Sequence, residues 1–193
     1  MKLTLVTAPV SAPLTRDEVK AHCRVDHPDE DVLIDGYINA AVAHVDGYRG
    51  VLGRCLINQT WRMRLSGWAG KIALPFPDVS DVAIRYRDAA DAEQTLDSGV
   101  YELVSSPGRG AIRMRQAFDY PALYDDAAEP VTIDLTAGFG ANATDVPWTI
   151  KQAMLLLIAH WYEHREAASA GVVIADVPKG VDALLMQHRC VSV

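Results

Sequence analysis

The sequence predicts an α+β chain in which N- and C-terminal helices form a bundle and a central antiparallel β-rich region is inserted between them. Two changes of hydrophobic period carry that reading. Residues 15–50 repeat at helical spacing, 57–137 alternate in and out, and 147–188 return to helical spacing. Helices at both ends with meandering strands between them define an α+β arrangement, not alternating βαβ units. The expected organisation is a single domain over 1–193. It comprises N-terminal helices in 1–56, a β-rich subregion in 57–140, and C-terminal helices with a tail in 141–193.

The first helix has a well-specified entry. Thr15 is placed to cap the amide of Glu18, and Glu18 to reach back, with Leu14 and Val19 as the apolar staple. It ends near Val25. A second helix is expected from Pro28, where a missing amide costs nothing, with Asp29, Glu30 and Asp31 at the positive end of its dipole. Ile34, Ile38, Ala41, Val45 and Tyr48 form its apolar stripe, and Gly50 and Gly53 close it, at about 22 residues or ~33 Å.

Beyond Leu56 the period becomes two. Ile57, Gln59, Trp61, Met63 and Leu65 alternate with Asn58, Thr60, Arg62, Arg64 and Ser66, the pattern of a strand with one buried face. Similar runs lie at Val82–Tyr86, Ile112–Met114 and Val131–Leu135, with weaker ones at Lys71–Leu74 and Val100–Val104. The stretch from Tyr120 to Pro130 reads as an acidic loop. Pro147 then opens the most apolar helix, with Ile150, Met154, Leu157 and Trp161 in its stripe and Leu155, Leu156 and Ile158 widening it. Pro178 begins a last short helix carrying Val181, Leu184 and Leu185.

Composition narrows the function. Of 193 residues half are apolar, and the net charge is −7, the wrong sign for a sequence-independent DNA binder. Cys23, Cys55 and Cys190 are widely spaced with no CxxC pair, so neither a disulfide framework nor a zinc ribbon is indicated, and a reducing cytoplasm is expected. Thr4, Thr7 and Pro9 interrupt the opening apolar stretch, which is therefore not read as a signal peptide. The longest apolar run, Ala153–Ala159, falls far short of a membrane span, so no membrane partner is expected.

Two constellations carry potential chemistry. His160-Trp161-Tyr162-Glu163-His164 matches H-x-x-E-H, in which two histidines one helical turn apart ligate zinc and the glutamate activates water. A third ligand is hard to find downstream, where only Asp176, Asp182 and His188 remain after Glu166. The preferred assignment therefore has no metal, no cofactor and no catalytic residue, with the histidines at the polar edge of the helix. A zinc-dependent hydrolase using His160, Glu163 and His164 stands as the alternative. The second constellation is three R-x-R pairs, Arg62/Arg64, Arg85/Arg87 and Arg113/Arg115, each on the opposite strand face to its apolar neighbours. Should their strands share a sheet, six guanidinium groups crowd one face, either solvated and paired with acids or serving as an inter-subunit face for an acidic surface.

Leu5-Val6-Thr7-Ala8-Pro9 followed by Pro13-Leu14-Thr15-Arg16-Asp17-Glu18-Val19-Lys20-Ala21-His22-Cys23-Arg24-Val25-Asp26 resembles the start of the head–tail connector, or adaptor, proteins of long-tailed bacteriophages and gene transfer agents. Asp29-Glu30-Asp31, Val45-Asp46-Gly47-Tyr48 and Ile57-Asn58-Gln59-Thr60-Trp61 continue the likeness. The stretch from Ile150 to Glu163 is its most distinctive block, and Tyr120–Pro130 its poorest.

The resemblance implies a non-enzymatic virion protein of the particle neck, assembled in the host cytoplasm. Its copies would form a homo-oligomeric ring, dodecameric in the particle, beneath the portal. That ring would extend the DNA channel and offer a platform to a tail-completion or stopper protein. DNA would pass without specific binding, which an acidic chain favours by repelling phosphate. The C-terminal segment from Ala170 would dock on the portal, with Val172, Val173, Ile174, Val177, Leu184 and Leu185 as candidate contacts. A closed ring needs two different complementary patches per copy, for which the long second helix and the arginine face are candidates. A free-standing oligomeric binding module unrelated to virions is the remaining alternative.

Overall fold

The chain folds, in a computed structural model, as a mixed α+β protein whose residues 2–104, 108–165 and 179–190 are described here. Its described parts cluster in two compact units. One takes Val10–Ile57 with Gly140–Arg189, and the other Met1–Pro9, Asn58–Phe139 and Cys190–Val193.

The first unit is helical, with α1 (Arg16–Cys23), α2 (Asp31–Val45), α3 (Trp148–Glu163) and α4 (Lys179–Met186). At α1 the expected capping box is present: Thr15 accepts from the Glu18 amide, while Glu18 accepts from the Thr15 amide at 2.7 Å. Its end is a left-handed Arg24, φ 58°.

α2 is shorter than its apolar stripe suggested, starting at Asp31 and ending at Val45. The Pro28–Asp31 stretch is used instead for a turn, in which the Pro28 carbonyl accepts from the Asp31 amide at 3.1 Å. At the far end Gly47 takes φ 77°, and the Asp46 carboxylate accepts from the Leu56 amide at 2.6 Å. That exit turns the chain before Gly50 is reached. Ile34, Ile38, Ala41 and Val45 are buried as the stripe requires, and α3 buries Ile150, Ala153, Met154, Leu155, Leu157 and Ile158. No helix among the described residues is long and apolar enough to cross a membrane.

The second unit is built from strands. β1 (Lys2–Thr7), β2 (Gln59–Leu65), β4 (Val79–Arg87), β5 (Glu93–Thr95) and β8 (Val131–Ala137) form a five-stranded antiparallel sheet in the order β1-β2-β8-β4-β5. A three-stranded sheet, β3-β7-β6, holds β3 (Lys71–Ala73), β7 (Ala111–Met114) and β6 (Tyr101–Val104). Tyr101 of β6 donates its hydroxyl to the Val82 carbonyl of β4 at 2.9 Å, tying the two sheets together. Met63, Ile84, Ile112, Ile133 and Leu135 are fully buried, the apolar phase of the alternation. β1 was not anticipated: the strands are not confined to 57–140, because Lys2–Thr7 joins the sheet by pairing with β2.

Candidate docking surface

Strand pleating sends alternate side chains to opposite faces, so the five-stranded sheet has a buried phase and an outer phase. On β2 the outer residues are Thr60, Arg62 and Arg64; on β8, Thr132, Asp134 and Thr136; on β4, Ala83, Arg85 and Arg87. Register lines these up across the strands. Arg62 stands opposite Asp134, while Lys2, Arg64, Thr132, Arg85 and Thr95 form one continuous row. The row holds three cations and no acid.

Asp134 is the electrostatic centre of the face. Arg62 donates to it through Nε at 2.7 Å and Nη2 at 2.8 Å, and Arg85 donates from the other side. The Arg62 hydrogen bonds and then the Arg62 and Arg85 charges hold the Asp134 carboxyl below the usual carboxylate range despite its partial burial. One carboxylate serves two guanidiniums. Arg85 also lies 3.6 Å from Glu93, and Arg87 pairs with Asp91 at 2.8 Å. Arg64 and Lys2 are exposed and have no ion-pair partner among the described residues.

The six arginines do not share one face. Arg62, Arg64, Arg85 and Arg87 lie on the five-stranded sheet, but Arg113 is on β7 in the three-stranded sheet, paired with Glu102 at 2.6 Å. Arg115 lies one residue past the end of β7. Equal R-x-R spacing cannot reveal which sheet a strand joins, and the separation follows from β7 pairing with β3 and β6. Two contributors escaped the sequence reading: Lys2, because β1 was unrecognised, and Asp134. The alternation Val131, Ile133, Leu135 against Thr132 and Asp134 carried the signal for the latter.

Beside this face the loop over 117–130 is held by aromatic packing. Trp68 donates its indole Nε1 to the Pro121 carbonyl at 2.9 Å and meets Tyr86 edge-on at 5.3 Å and Phe118 at 5.8 Å. The Tyr124 amide donates to the Arg87 carbonyl at 3.1 Å, and Asp88 forms an isolated bridge with Leu123. A groove of about 780 Å³ is lined by Arg64, Trp68, Lys71, Ile72 and Glu129, among others.

The H-x-x-E-H segment does not assemble a metal centre among the described residues, where no group of three or more His, Cys, Asp or Glu side chains is placed to hold an ion. His160 and His164 stack with ring centroids 4.7 Å apart, and His164 Nδ1 lies 3.1 Å from the His160 carbonyl. α3 ends at Glu163, so His164 is its C-cap, its amide donating to the His160 carbonyl at 3.0 Å. Of the candidate portal contacts, Val172, Val173, Ile174 and Val177 lie outside the described residues; Leu184 is half-buried, and Leu185 is 5% exposed in the helical core.

Residues 15–96 match the family described as phage gp6-like head–tail connector protein. A chain in the neck of an empty GTA particle computed with C6 symmetry is 32% identical, with TM-score 0.79, covering 100% of this chain and 97% of that one. A chain from the virion of a native gene transfer agent (GTA) particle is 33% identical, with the same TM-score of 0.79 and coverages of 100% and 97%. A third, from the neck of a native GTA particle computed with C12 symmetry, is 32% identical with TM-score 0.75, again over 100% and 97%. No curated protein matches the chain. These likenesses make the chain a virion structural protein. Within that class it belongs to the phage gp6-like head–tail connector family.

Proposed function

We propose that the chain is a single-domain connector subunit of a neck ring, placed directly beneath the portal. There it extends the DNA channel and presents a platform to a tail-completion or stopper protein. The observation that carries this reading is full-length likeness, at 32–33% identity, to chains of GTA particle necks computed with C6 and C12 symmetry. In this reading the ring is dodecameric, the terminal helices bundle within each copy with the strand region inserted between them, and no bond is made or broken. DNA slides past without specific contact, as suits a chain of net charge −7.

Cyclic rings require a heterologous interface, two unlike patches that meet between neighbours. Two surfaces are each a candidate for one half of such a contact. One is the outer face of the five-stranded sheet with Arg62, Arg64, Arg85 and Arg87, without Arg113 and Arg115. The other is the exposed side of α2, where Val32 is 86% exposed and Gly36, Ala40 and Ala43 follow it on the solvent side. Val172, Val173, Ile174, Val177 and Leu184 are assigned to the portal contact, while Leu185 anchors α4.

Electron microscopy of the purified chain mixed with its portal tests the reading. A ring stacked coaxially on the portal is the expected result. Monomers that ignore the portal overturn it.

A further inference from the structure

We infer that the acidic loop over 119–129 of one copy docks on the cationic outer sheet face of the next copy, supplying the two unlike halves of the ring contact. The inference rests on the ring reading above and names the partner of the arginine face. Its first support is an uncompensated charge. The row Lys2, Arg64, Arg85 crosses the sheet without an acid; Arg85 is met by Asp134, shared with Arg62, and by Glu93 at 3.6 Å, which leaves Lys2 and Arg64 without an ion-pair partner among the described residues. Arg64 and Arg85 are separated by two strand spacings, about 10 Å, which suits a loop with acids at nearby positions. Arg64 and Lys71 also line the adjoining groove, where Glu129 is the one acid.

The second support is the complementary segment. No Lys or Arg occurs between Arg115 and Lys151, and within that interval Asp119, Asp125, Asp126 and Glu129 form the loop. Asp119, Asp125 and Asp126 are exposed, and none of the four acids makes an ion pair among the described residues. The loop is nonetheless ordered in place by Trp68, by the Tyr124–Arg87 backbone bond and by the Asp88–Leu123 bridge. Pre-organisation of this kind lowers the entropy lost on docking. Like charges keep the loop from docking on a second loop, and the cationic face from docking on a second face. The pairing is therefore head-to-tail, as a cyclic ring demands.

A charge-swap experiment on the full-length chain tests this. K2E/R64E reverses the face, D125K/D126K reverses the loop, and the four-residue variant reverses both. All sites are exposed, and far-UV circular dichroism checks that each variant folds. Ring formation is followed by native mass spectrometry and by microscopy on portal particles. Each two-residue variant is expected to weaken assembly at least about tenfold at low salt, and the four-residue variant to recover most of that loss. Assembly unaffected by either reversal, or a combined variant no better than its parents, overturns the inference while the ring reading stands. A parent chain that forms no ring, alone or on the portal, overturns both.

Discussion

Lys151, on α3, places its ammonium 2.8 Å from Glu18, the carboxylate that also closes the capping box of α1. Lys151 is 7% exposed, and its ammonium also lies 5.6 Å from the centre of the Trp148 ring. One carboxylate thus caps a helix and neutralises a buried cation 133 positions away in sequence. Removing the carboxylate strands that cation, whereas removing the cation leaves an acid that still has the Thr15 amide. We therefore expect Glu18→Ala to cost about 2–3 kcal/mol and Lys151→Met less than about 1 kcal/mol, read from urea midpoints at unchanged slope. Equal losses would show that the pair contributes symmetrically and that this account of the asymmetry is wrong.

The same carboxylate makes stability depend on pH. Burial pushes the Glu18 pKa up, but its bonds to Lys151 and Thr15 outweigh that and leave it below its ordinary value. The Asp134 pKa is held down by Arg62 and then Arg85. A carboxyl whose pKa is depressed by folding stabilises the native state above the unfolded-state value, and that contribution is lost as pH falls through the folded one. The contribution of these two carboxyls to the thermal midpoint should therefore be complete above about pH 5 and fall progressively below about pH 4, beneath a separate decline that starts near pH 6.5 because burial lowers the His188 pKa. Glu18→Gln should lower the plateau and shallow the acid limb. An acid limb as steep as that of the parent chain would remove Glu18 from the explanation.

Asp134 gives a parallel test within the strand unit. With Asp134→Ala, Arg62 loses its carboxylate and Arg85 keeps only the longer contact to Glu93, so the loss should exceed that of an ordinary surface pair and reach about 1–2 kcal/mol. Adding Arg85→Ala to Asp134→Ala should recover part of it, because the remaining guanidinium is relieved of a like charge. A double-mutant cycle by chemical denaturation measures this coupling. Strict additivity would show that the three groups act independently.

Much of this was legible before any coordinates. The capping box at Thr15 and Glu18, the apolar stripe of α3 and the in-out alternation of β2 and β8 are local patterns, and local sterics and burial decide them. What escaped depends on distant partners. Lys2–Thr7 becomes a strand because β2 offers it an edge, which six residues of sequence cannot announce. The sequence reads Glu30 into the first turn of α2, yet it is the residue before the helix, with its carboxylate held by Tyr162 and Arg165. Likewise the spacing of Arg113 and Arg115 matches that of Arg62 and Arg64, yet their strands pair in different sheets.

The stacked histidines give a metal prediction. Their rings lie face to face with an interplanar angle of 30°, and His164 Nδ1 is turned toward the His160 carbonyl, an arrangement unlike two nitrogens converging on one ion. Protein purified without chelator should hold substoichiometric zinc. The pair His160→Ala/His164→Ala should leave both metal content and portal attachment unchanged. One zinc per chain, lost in that variant, would restore the hydrolase alternative.

Trp68 separates anchoring of the acidic loop from the loop's charge. Its indole nitrogen bonds the Pro121 carbonyl, and its ring contacts Tyr86, Phe118 and Tyr120. Trp68→Phe keeps an aromatic body and removes the hydrogen bond, at about 1 kcal/mol, while Trp68→Ala removes both, at about 3 kcal/mol. In each variant amide exchange over 119–129 should accelerate, more so in the alanine form, while exchange in the centres of β2 and β8 changes less. Ring assembly should fall in the same order although every acid is still present, because a loosened loop loses more entropy on docking. If the loop amides exchange faster and assembly is untouched, its order is irrelevant to the contact. The acids alone would then have to carry it.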